Sequence, residues 1–311
     1  MTHLVLVAAV VIAAGCGGKK QKVYEDAGVA SGSAGSGSAG SGVPVSSEAV
    51  AAAFDKKCIA GDAESCRNLG VMYTEGVGVT KDERKAAALF AQACTANLLA
   101  GCNHLALMFS EGIGVAKDLA KAVELYTKAC DGNHGLACRN LGLMLRDGRG
   151  VPKNLEKADK ALDKACESTT PFACTNAGDL DHTLAQPLQG KDRAARLKKM
   201  VDHYKRGCDA KDPTACRQLG IAYLEGVGLP KSSAAAAMWF DRGCKMDEAV
   251  ACRALGMMTV DGVGVAVDRE AGTKMLKRAC DLKDESACKA LAVVTKPSAG
   301  SDAGVPQKAA P

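Results

Sequence analysis

The sequence predicts an all-α solenoid of about seven helix pairs joined by disulfide bonds. Cysteines eight positions apart occur in seven pairs along the chain. The first cysteines of successive pairs lie 36 residues apart, except for one interval of 42. A fixed period of this size is typical of a solenoid in which each repeat contributes two helices.

The spacing within each cysteine pair favours a disulfide over a metal site or a redox centre. Structural zinc ligands are usually separated by about two to four residues, and reactive cysteine pairs have the form C-x-x-C. The chain contains no C-x-x-C, and its five histidines show no metal-ligand spacing. We therefore predict no metal site, no cofactor, and disulfides formed in an oxidising compartment. The predicted bonds are Cys58–Cys66, Cys94–Cys102, Cys130–Cys138, Cys166–Cys174, Cys208–Cys216, Cys244–Cys252 and Cys280–Cys288.

The first helix of each repeat, helix A, begins close to the second cysteine of a pair. Leucine dominates the third position after that cysteine and glycine or alanine occupies the fourth, as in Leu69 and Gly70. Because glycine costs a helix about 1 kcal/mol relative to alanine, its recurrence indicates that a neighbouring helix passes very close. A G-x-G motif then ends helix A on a left-handed glycine. A phosphate-binding loop is the alternative, but the motif lacks a preceding strand and a third glycine.

The second helix, helix B, begins at a residue whose side chain caps the free amides of its first turn. The predicted capping residues are Asp82, Asp118, Asn154, Ser232 and Asp268. Helix B is expected to bury the residue four positions before its cysteine. These residues are Phe90, Tyr126, Leu162, Tyr204, Phe240 and Leu276. Trp239 shares the position of Leu89 and is predicted to be a core residue.

Each disulfide is predicted to join the end of one helix B to the start of the next helix A. Asp62, Asp212 and Asp284 would cap these A helices, and Pro213 fits a first helical position. Antiparallel helices joined by a short loop bring such positions within the distance that a disulfide needs. The solenoid then runs from a lone helix B near residues 46–57 to a final helix A near 285–295, with 14 helices in all.

The N-terminal residues predict export and a lipid anchor. Residues 1–15 contain an apolar run that is too short to span a bilayer, and they end in Ala14 and Gly15 before Cys16. This pattern is typical of a bacterial lipoprotein signal peptide, after which Cys16 would carry the lipid. An ordinary secretory signal is the alternative. Residues 16–45 form a Gly/Ser/Ala-rich linker with a reach of about 30 Å, residues 46–295 the solenoid, and residues 296–311 a disordered tail.

Residues 58–295 resemble the cysteine-rich Sel-like repeat proteins, which are related to tetratricopeptide repeats. The resemblance rests on the cysteine spacing, on A-C-x-x-L-G in helix A (137–142, 215–220 and 251–256), and on the G-x-G-V that precedes Lys-Asp or Lys-Asn (112–118 and 148–154). It implies a right-handed α/α superhelix whose concave face binds protein partners. The lipoprotein pattern at Cys16 implies an envelope location, and by resemblance to enterobacterial lipoprotein sorting Gly17 favours the outer membrane, facing the periplasm. Some relatives carry a β-lactamase or penicillin-binding label.

The motifs of a hydrolase are largely missing from the sequence. A serine β-lactamase needs S-x-x-K, S-D-N and K-T-G elements. The sole S-x-x-K match runs from Ser286 to Lys289 and contains Cys288, a predicted disulfide cysteine. The net charge of +5, from 40 basic and 35 acidic residues, gives no nucleic-acid footprint. We therefore expect a non-catalytic scaffold for a protein or peptide partner, with a β-lactam- or peptidoglycan-handling hydrolase as the alternative.

The fourth repeat, in which the interval is 42 residues, is the predicted site of specialisation. We expect a loop that contains Asp179, Asp181, His182 and Pro187, followed by a longer, basic helix B capped by Asp192. Insertions in solenoids often map to the binding face. The candidate partner contacts are Asp181, His182, Arg196 and Lys199. Harmless growth of a surface loop is the alternative.

Overall fold

The computed structural model describes residues 46–296, and within them the chain forms fourteen α-helices and no strand. The predicted signal peptide, Cys16, the linker up to residue 45 and residues 297–311 of the tail lie outside the described residues. The predicted all-α class and helix number are confirmed. The first and last helices, at 47–59 and 285–294, are those expected from the repeat spacing.

The helices alternate between type B and type A along the chain. The B helices are α1 (Ser47–Ile59), α3 (Glu83–Thr95), α5 (Leu119–Asp131), α7 (Leu155–Glu167), α9 (Gly190–Asp209), α11 (Ser233–Lys245) and α13 (Arg269–Asp281). The A helices are α2 (Ala63–Glu75), α4 (Leu99–Glu111), α6 (Gly135–Asp147), α8 (Ala173–Ala185), α10 (Pro213–Glu225), α12 (Ala249–Asp261) and α14 (Glu285–Val294). The chain divides after Leu188 into two compact units, so the first contains α1–α8 and the second α9–α14.

Within each unit, every helix packs against its neighbours in the chain. Five A helices pack on the B helix that follows them, as α2 does on α3 and α12 on α13. Successive A helices also approach one another directly, as in α2 with α4, α6 with α8 and α12 with α14. The A helices of a unit therefore form one continuous surface, which we call the A face.

The close helix approach predicted from the recurrent glycines is confirmed. A Cβ on Gly70 would come within 2.7 Å of the Phe90 ring, and one on Gly220 within 2.7 Å of Phe240. These two aromatic residues occupy the predicted position four residues before the cysteine and are 2% and 1% exposed. The other four residues at this position, Tyr126, Leu162, Tyr204 and Leu276, are also buried. Each repeat thus buries one large side chain of helix B against a small residue of helix A.

The G-x-G motifs end helix A, as predicted, and do not form phosphate-binding loops. Gly76 has a φ of +74°, and the amides of Gly76 and Val77 both donate to the carbonyl of Met72. This is a Schellman motif, which satisfies the last carbonyls of the helix. The amide of Asp82 then donates to the carbonyl of Tyr73, which fixes the start of helix B. The amides of Gly76 and Val77 are therefore bonded to the end of their own helix.

The capping predictions hold at seven of the nine positions, the exceptions being Asp62 and Asp192. Asp82, Asp118, Asn154, Ser232 and Asp268 each accept an amide hydrogen bond at the start of a B helix. Asp212 and Asp284 do the same for α10 and α14, and Pro213 is the first residue of α10. Asp62 lies at the N-cap of α2 but makes no capping bond. Its carboxylate instead accepts a hydrogen bond from the Ser65 hydroxyl, which lowers the pKa of Asp62.

The fourth repeat differs from its prediction. Asp179, Asp181 and His182 lie inside α8 and not in a loop, and only residues 186–189 separate α8 from α9. Asp192 does not cap α9, because the helix begins at Gly190 with Gln189 at the N-cap. With 20 residues against 13 in the other B helices, α9 is about two turns longer and not one. α8 has the same 13 residues as the other complete A helices, but without the usual stop glycine it ends at Ala185, two residues further from its second cysteine than α2 does.

Trp239 is less buried than predicted. It is partly buried, and it packs against the cluster formed by Cys208, Ala215 and Cys216. The guanidinium carbon of Arg242 lies 5.5 Å from the centre of its ring. Trp239 therefore covers one disulfide from the side.

Candidate protein-binding face

Disulfides at the joints between repeats hold the A helices in place. All seven predicted pairs are joined, with Cα–Cα distances of 4.5 to 4.7 Å. Each bond links the end of a B helix to the first turn of the next A helix. The disulfide sulfurs are largely buried, since Cys102, Cys138 and Cys216 are each 0% exposed. We call these seven joints the clips.

Every clip contains a residue in the left-handed conformation, three positions after the first cysteine. Gly61 occupies this position in the first clip, with φ +95°. The other six clips place non-glycine residues there: Asn97, Asn133, Thr169, Lys211, Asp247 and Lys283. The following residue donates its amide to a carbonyl five residues back, as Asp62 does to Lys57. The clip is thus a Schellman motif closed by a disulfide, and the sequence spacing alone did not reveal its strained residue.

A row of polar side chains runs along the A face of the first unit. It occupies the two positions after the second cysteine of each clip. Its members are Arg67 and Asn68 on α2, Asn103 and His104 on α4, Arg139 and Asn140 on α6, and Thr175 and Asn176 on α8. Hydrogen bonds cross from one A helix to the next: Asn140 Nδ2 donates to Asn103 Oδ1 at 3.4 Å, and Arg139 Nε donates to Asn176 Oδ1 at 2.8 Å. These bonds hold the row in a defined arrangement.

His104 is a neutral member of this row. Its ring stacks on Phe90 with 4.8 Å between the ring centres. Burial, with smaller contributions from the charge of Arg67 and the nearby His134, lowers the pKa of His104 to about 4. Arg67 donates to Glu64 on its own helix, but its Nε is buried without a hydrogen-bond partner. This end of the row therefore combines a neutral imidazole with an incompletely bonded guanidinium.

The A face of the second unit carries ion pairs between repeats. Arg253 Nε lies 2.8 Å from an oxygen of Asp284, with both side chains about nine-tenths buried. Arg217 Nε lies 3.1 Å from an oxygen of Glu248. Burial raises the pKa of Glu248, and the opposite charge of Arg217 partly reverses that shift. Because Asp284 and Glu248 also cap α14 and α12, each pair ties one A helix to the start of the next.

On the other side of the solenoid, the B helices are linked by a second row of contacts. The residue two positions before the first cysteine reaches back to the end of the preceding B helix. Lys128 Nζ lies 3.2 Å from the carbonyl oxygen of Cys94, and Arg278 Nη2 lies 2.7 Å from a carboxylate oxygen of Asp247. Gln92, Lys164 and Arg242 make equivalent contacts. Donors suit this position because the C-terminal end of a helix carries partial negative charge.

The four residues predicted as partner contacts do not form one exposed patch. Asp181 is 0% exposed, so its side chain is not available at the surface of α8, and this part of the prediction is wrong. His182 is exposed, with a ring nitrogen 3.2 Å from Gln186 Nε2. Arg196 and Lys199 are partly buried on α9 and belong to the second unit. The row on the A face was missed, although aligning the repeats on their second cysteines displays its polar residues.

The geometry offers no hydrolase site at the single motif match. Ser286 and Lys289 are exposed on α14, and Cys288 between them is bonded to Cys280. Among residues 46–296, no three His, Cys, Asp or Glu side chains are grouped so that they could hold a metal ion. In the same part of the chain, no helix is both long enough and apolar enough to cross a membrane.

Comparison with known families decides the identity of the repeats. The family model described as the Sel1 repeat matches residues 63–98, 99–134, 135–167, 213–248 and 249–284. The chain belongs to the Sel1 repeat family. Each complete match runs from the start of one A helix to the cap of the next, and the unmatched residues 168–212 contain the irregular fourth repeat. Sel1 repeat proteins are generally protein-interaction scaffolds.

Two solved structures support the same fold. The protective antigen c5321 of uropathogenic Escherichia coli, which displays an SLR fold, aligns with a TM-score of 0.72 and 24% identity over 78% of this chain and 51% of its own. The present chain thus spans about half the length of that protein. A Sel1 repeat protein of Oxalobacter formigenes aligns with a TM-score of 0.66 and 27% identity over 78% of this chain and 68% of its own. No curated protein matches the sequence.

Proposed function

We propose that this Sel1 repeat protein is a non-catalytic scaffold of the bacterial cell envelope that binds a protein or peptide partner along the A face of its first unit. The row of polar side chains from Arg67 to Asn176 is the observation that carries this proposal. The partly exposed members of the row offer amide and guanidinium groups suited to hydrogen bonding with peptide groups, whereas Asn103, His104 and Thr175 are buried. The row also recurs once per repeat, as an interface with an extended partner requires.

The side chains of the row are already ordered in the absence of a partner. The Asn140–Asn103 and Arg139–Asn176 bonds and the stacking of His104 on Phe90 restrict the side chains. Side chains that are already ordered lose less entropy on binding, which favours affinity.

Site-specific photo-crosslinking tests the binding face. A crosslinking amino acid is placed at Asn68 or at Asn140, both partly buried on the A face, and at Lys160 as a control exposed on helix α7. We expect crosslinks to a defined envelope protein from the two A-face positions and none from position 160. Equal crosslinking from all three positions would contradict the proposal.

Envelope attachment rests on the disulfides and on the N-terminal sequence. Disulfides persist in oxidising compartments, which fits seven buried clips in an exported protein. The lipid would be carried by Cys16 and would hold the protein in the outer membrane, facing the periplasm. Substituting Cys16→Ser should move the protein from the membrane fraction to the soluble periplasmic fraction. An unchanged membrane fraction would exclude Cys16 as the anchor.

The non-catalytic character has its own test. The soluble form is incubated with a chromogenic β-lactam, with and without a chelator, and no turnover is expected. Turnover that is lost in a Ser286→Ala variant would establish the hydrolase alternative and overturn the scaffold proposal.

A further inference from the structure

The second glycine of each G-x-G motif seals a groove between two helices. In four repeats it lies against the first turn of the preceding B helix, and Gly228 lies against Leu197 in the interior of the longer α9. A Cβ on any of these five glycines would lie 2.7 Å or less from a backbone carbonyl oxygen or carbon of the B helix. The pairs are Gly78 with Ser47, Gly114 with Glu83, Gly150 with Leu119, Gly228 with Leu197, and Gly264 with Ser233. Only glycine fits this contact, so the loop after each A helix closes the groove beside the previous B helix.

At the end of the second unit the equivalent groove lies beside α13, and the position that would seal it falls outside the described residues. It has a volume of about 580 Å³ between α13 and α14. Its lining residues are Arg269, Glu270, Thr273, Lys274, Val294 and Lys296. Arg269 begins α13 and so occupies the position of Ser47 and Glu83 in the sealed repeats.

The last A helix is also incompletely covered. Val293 is 69% exposed, and Leu291 is only partly buried, whereas the equivalent Leu69 and Leu219 are each 1% exposed. The helix has 10 residues where the other A helices have 13. Pro297 explains the early end, because the residue before a proline is disfavoured in the helical conformation.

The sequence after α14 contains a glycine at the spacing of the sealing glycines. Gly300 lies twelve residues after Cys288, the interval that separates Gly78 from Cys66 and Gly264 from Cys252. The chain leaves α14 at Lys296, which already lines the groove. Four further residues can extend about 13 Å, enough to carry Gly300 across to α13. Asp302 then supplies a negative charge near the cations Arg269 and Lys296.

We propose that residues 297–304 of the C-terminal tail dock in the groove between α13 and α14, with Gly300 against the backbone of Arg269. The tail then replaces the loop that seals the groove in the other repeats and covers the uncapped end of the solenoid. This docking goes beyond the scaffold role, because the A face of the first unit takes no part in it.

Hydrogen exchange of the disulfide-intact protein tests the docking. The amides of residues 269–274 and of α14 are compared in four proteins: the full chain, a chain ending at Lys296, and the Gly300→Val and Gly304→Val variants. Valine at position 300 would collide with the carbonyl of Arg269, whereas position 304 matches no sealing glycine. We expect exchange in both segments to rise severalfold in the truncated chain and in Gly300→Val, and to be unchanged in Gly304→Val.

Each alternative gives a different result. Unchanged exchange in the truncated chain would overturn the proposal, since the tail would then cover nothing. Equal effects of the two valine variants would overturn the role of Gly300. Protection in the full chain that grows with protein concentration would assign the groove to a second copy of the protein and would also overturn the proposal. Crosslinking from the A face stays informative in every case, because it tests the scaffold role separately.

Discussion

Gly70 of α2 lies directly against the ring of Phe90 of α3, close enough that a Cβ on Gly70 would come within 2.7 Å of that ring. The same relationship recurs between Gly142 and Leu162, where the distance would be 2.6 Å. In the second repeat the pair is Ala106 with Tyr126, and both are buried. The small residue sets how closely the two helices of a repeat approach.

Substituting Gly70→Ala should lower the free energy of unfolding by about 1 kcal/mol. Overpacking against the ring costs about 1–3 kcal/mol, and the better helix propensity of alanine returns about 1 kcal/mol. Chemical denaturation of the disulfide-intact protein measures the change. The matched variant Ala106→Gly should also be destabilised, because it leaves a void beside Tyr126. A higher denaturation midpoint for Gly70→Ala would contradict the close-packing argument.

Substituting glycine for a left-handed residue of a clip should raise the stability of the protein. Lys283 has a φ of +72°, so Lys283→Gly should stabilise the protein by up to about 1 kcal/mol. The reverse change, Gly61→Ala, should destabilise it by about 1 kcal/mol. No atom lies within 4 Å of a Cβ at position 61, so the backbone conformation alone would cause the loss.

Thermal unfolding of these two variants is the measurement. Lys277→Gly serves as the control, since Lys277 is exposed in the interior of α13 and glycine there should cost about 1 kcal/mol. Equal destabilisation by Lys283→Gly and Lys277→Gly would show that the left-handed residue carries no strain.

The buried His104 should make stability depend on pH. Its pKa is about 4 in the folded protein against 6.5 for the free side chain. Between these values the unfolded chain binds a proton that the folded protein excludes. The free energy of unfolding should therefore fall as the pH is lowered from about 6.5 to about 4, by at most about 3 kcal/mol, and this term should be constant above pH 7.

Denaturation between pH 4 and 8 measures this dependence. A His104→Gln variant should lose most of the slope in that range, because glutamine does not titrate. The exposed His182→Gln variant is the control and should keep the slope of the parent protein. Parallel pH profiles for the parent and His104→Gln would show that other groups cause the dependence.

Removing one clip should destabilise the joint that it closes. Replacing Cys130 and Cys138 by alanine should cost about 2.5 kcal/mol on the loop-entropy estimate. Contacts in a solenoid are mostly between neighbours, so faster hydrogen exchange is expected in α5 and α6 and little change in α10 to α14. Mass spectrometry of non-reduced peptides should find the other six local bonds intact. Bridges between different repeats would contradict the assigned pairing.

The sequence predicted the helices well wherever a local signal repeats. Caps such as Asp118 and Asn154 and stops such as Gly112 and Gly148 act through bonds within a few residues. These caps and stops can therefore be recognised from the local sequence alone, and the 36-residue period predicts where each of them occurs. The cysteine spacing likewise predicted the seven pairs, because the two partners are only eight residues apart.

The prediction failed in the fourth repeat, where these signals are missing. The loss of the stop glycine suggested a loop, but α8 keeps the 13 residues of the other A helices, and Asp179, Asp181 and His182 occupy positions that are helical in α2 as well. Asp192 looks like a cap in the sequence, yet α9 begins at Gly190. The burial of Asp181 also follows from its position on that unexpected helical turn.

The sequence by itself determined the repeat, the clips and the position of nearly every helix, because those features depend on contacts between residues close in the chain. Only the tertiary structure decided which polar side chains share a surface. Asn103 and Asn140 are 37 residues apart and meet only because successive A helices lie side by side. The pKa of His104 likewise depends on Phe90 and Arg67 from other helices. Such effects arise from burial and distance between separate elements, which no local pattern encodes.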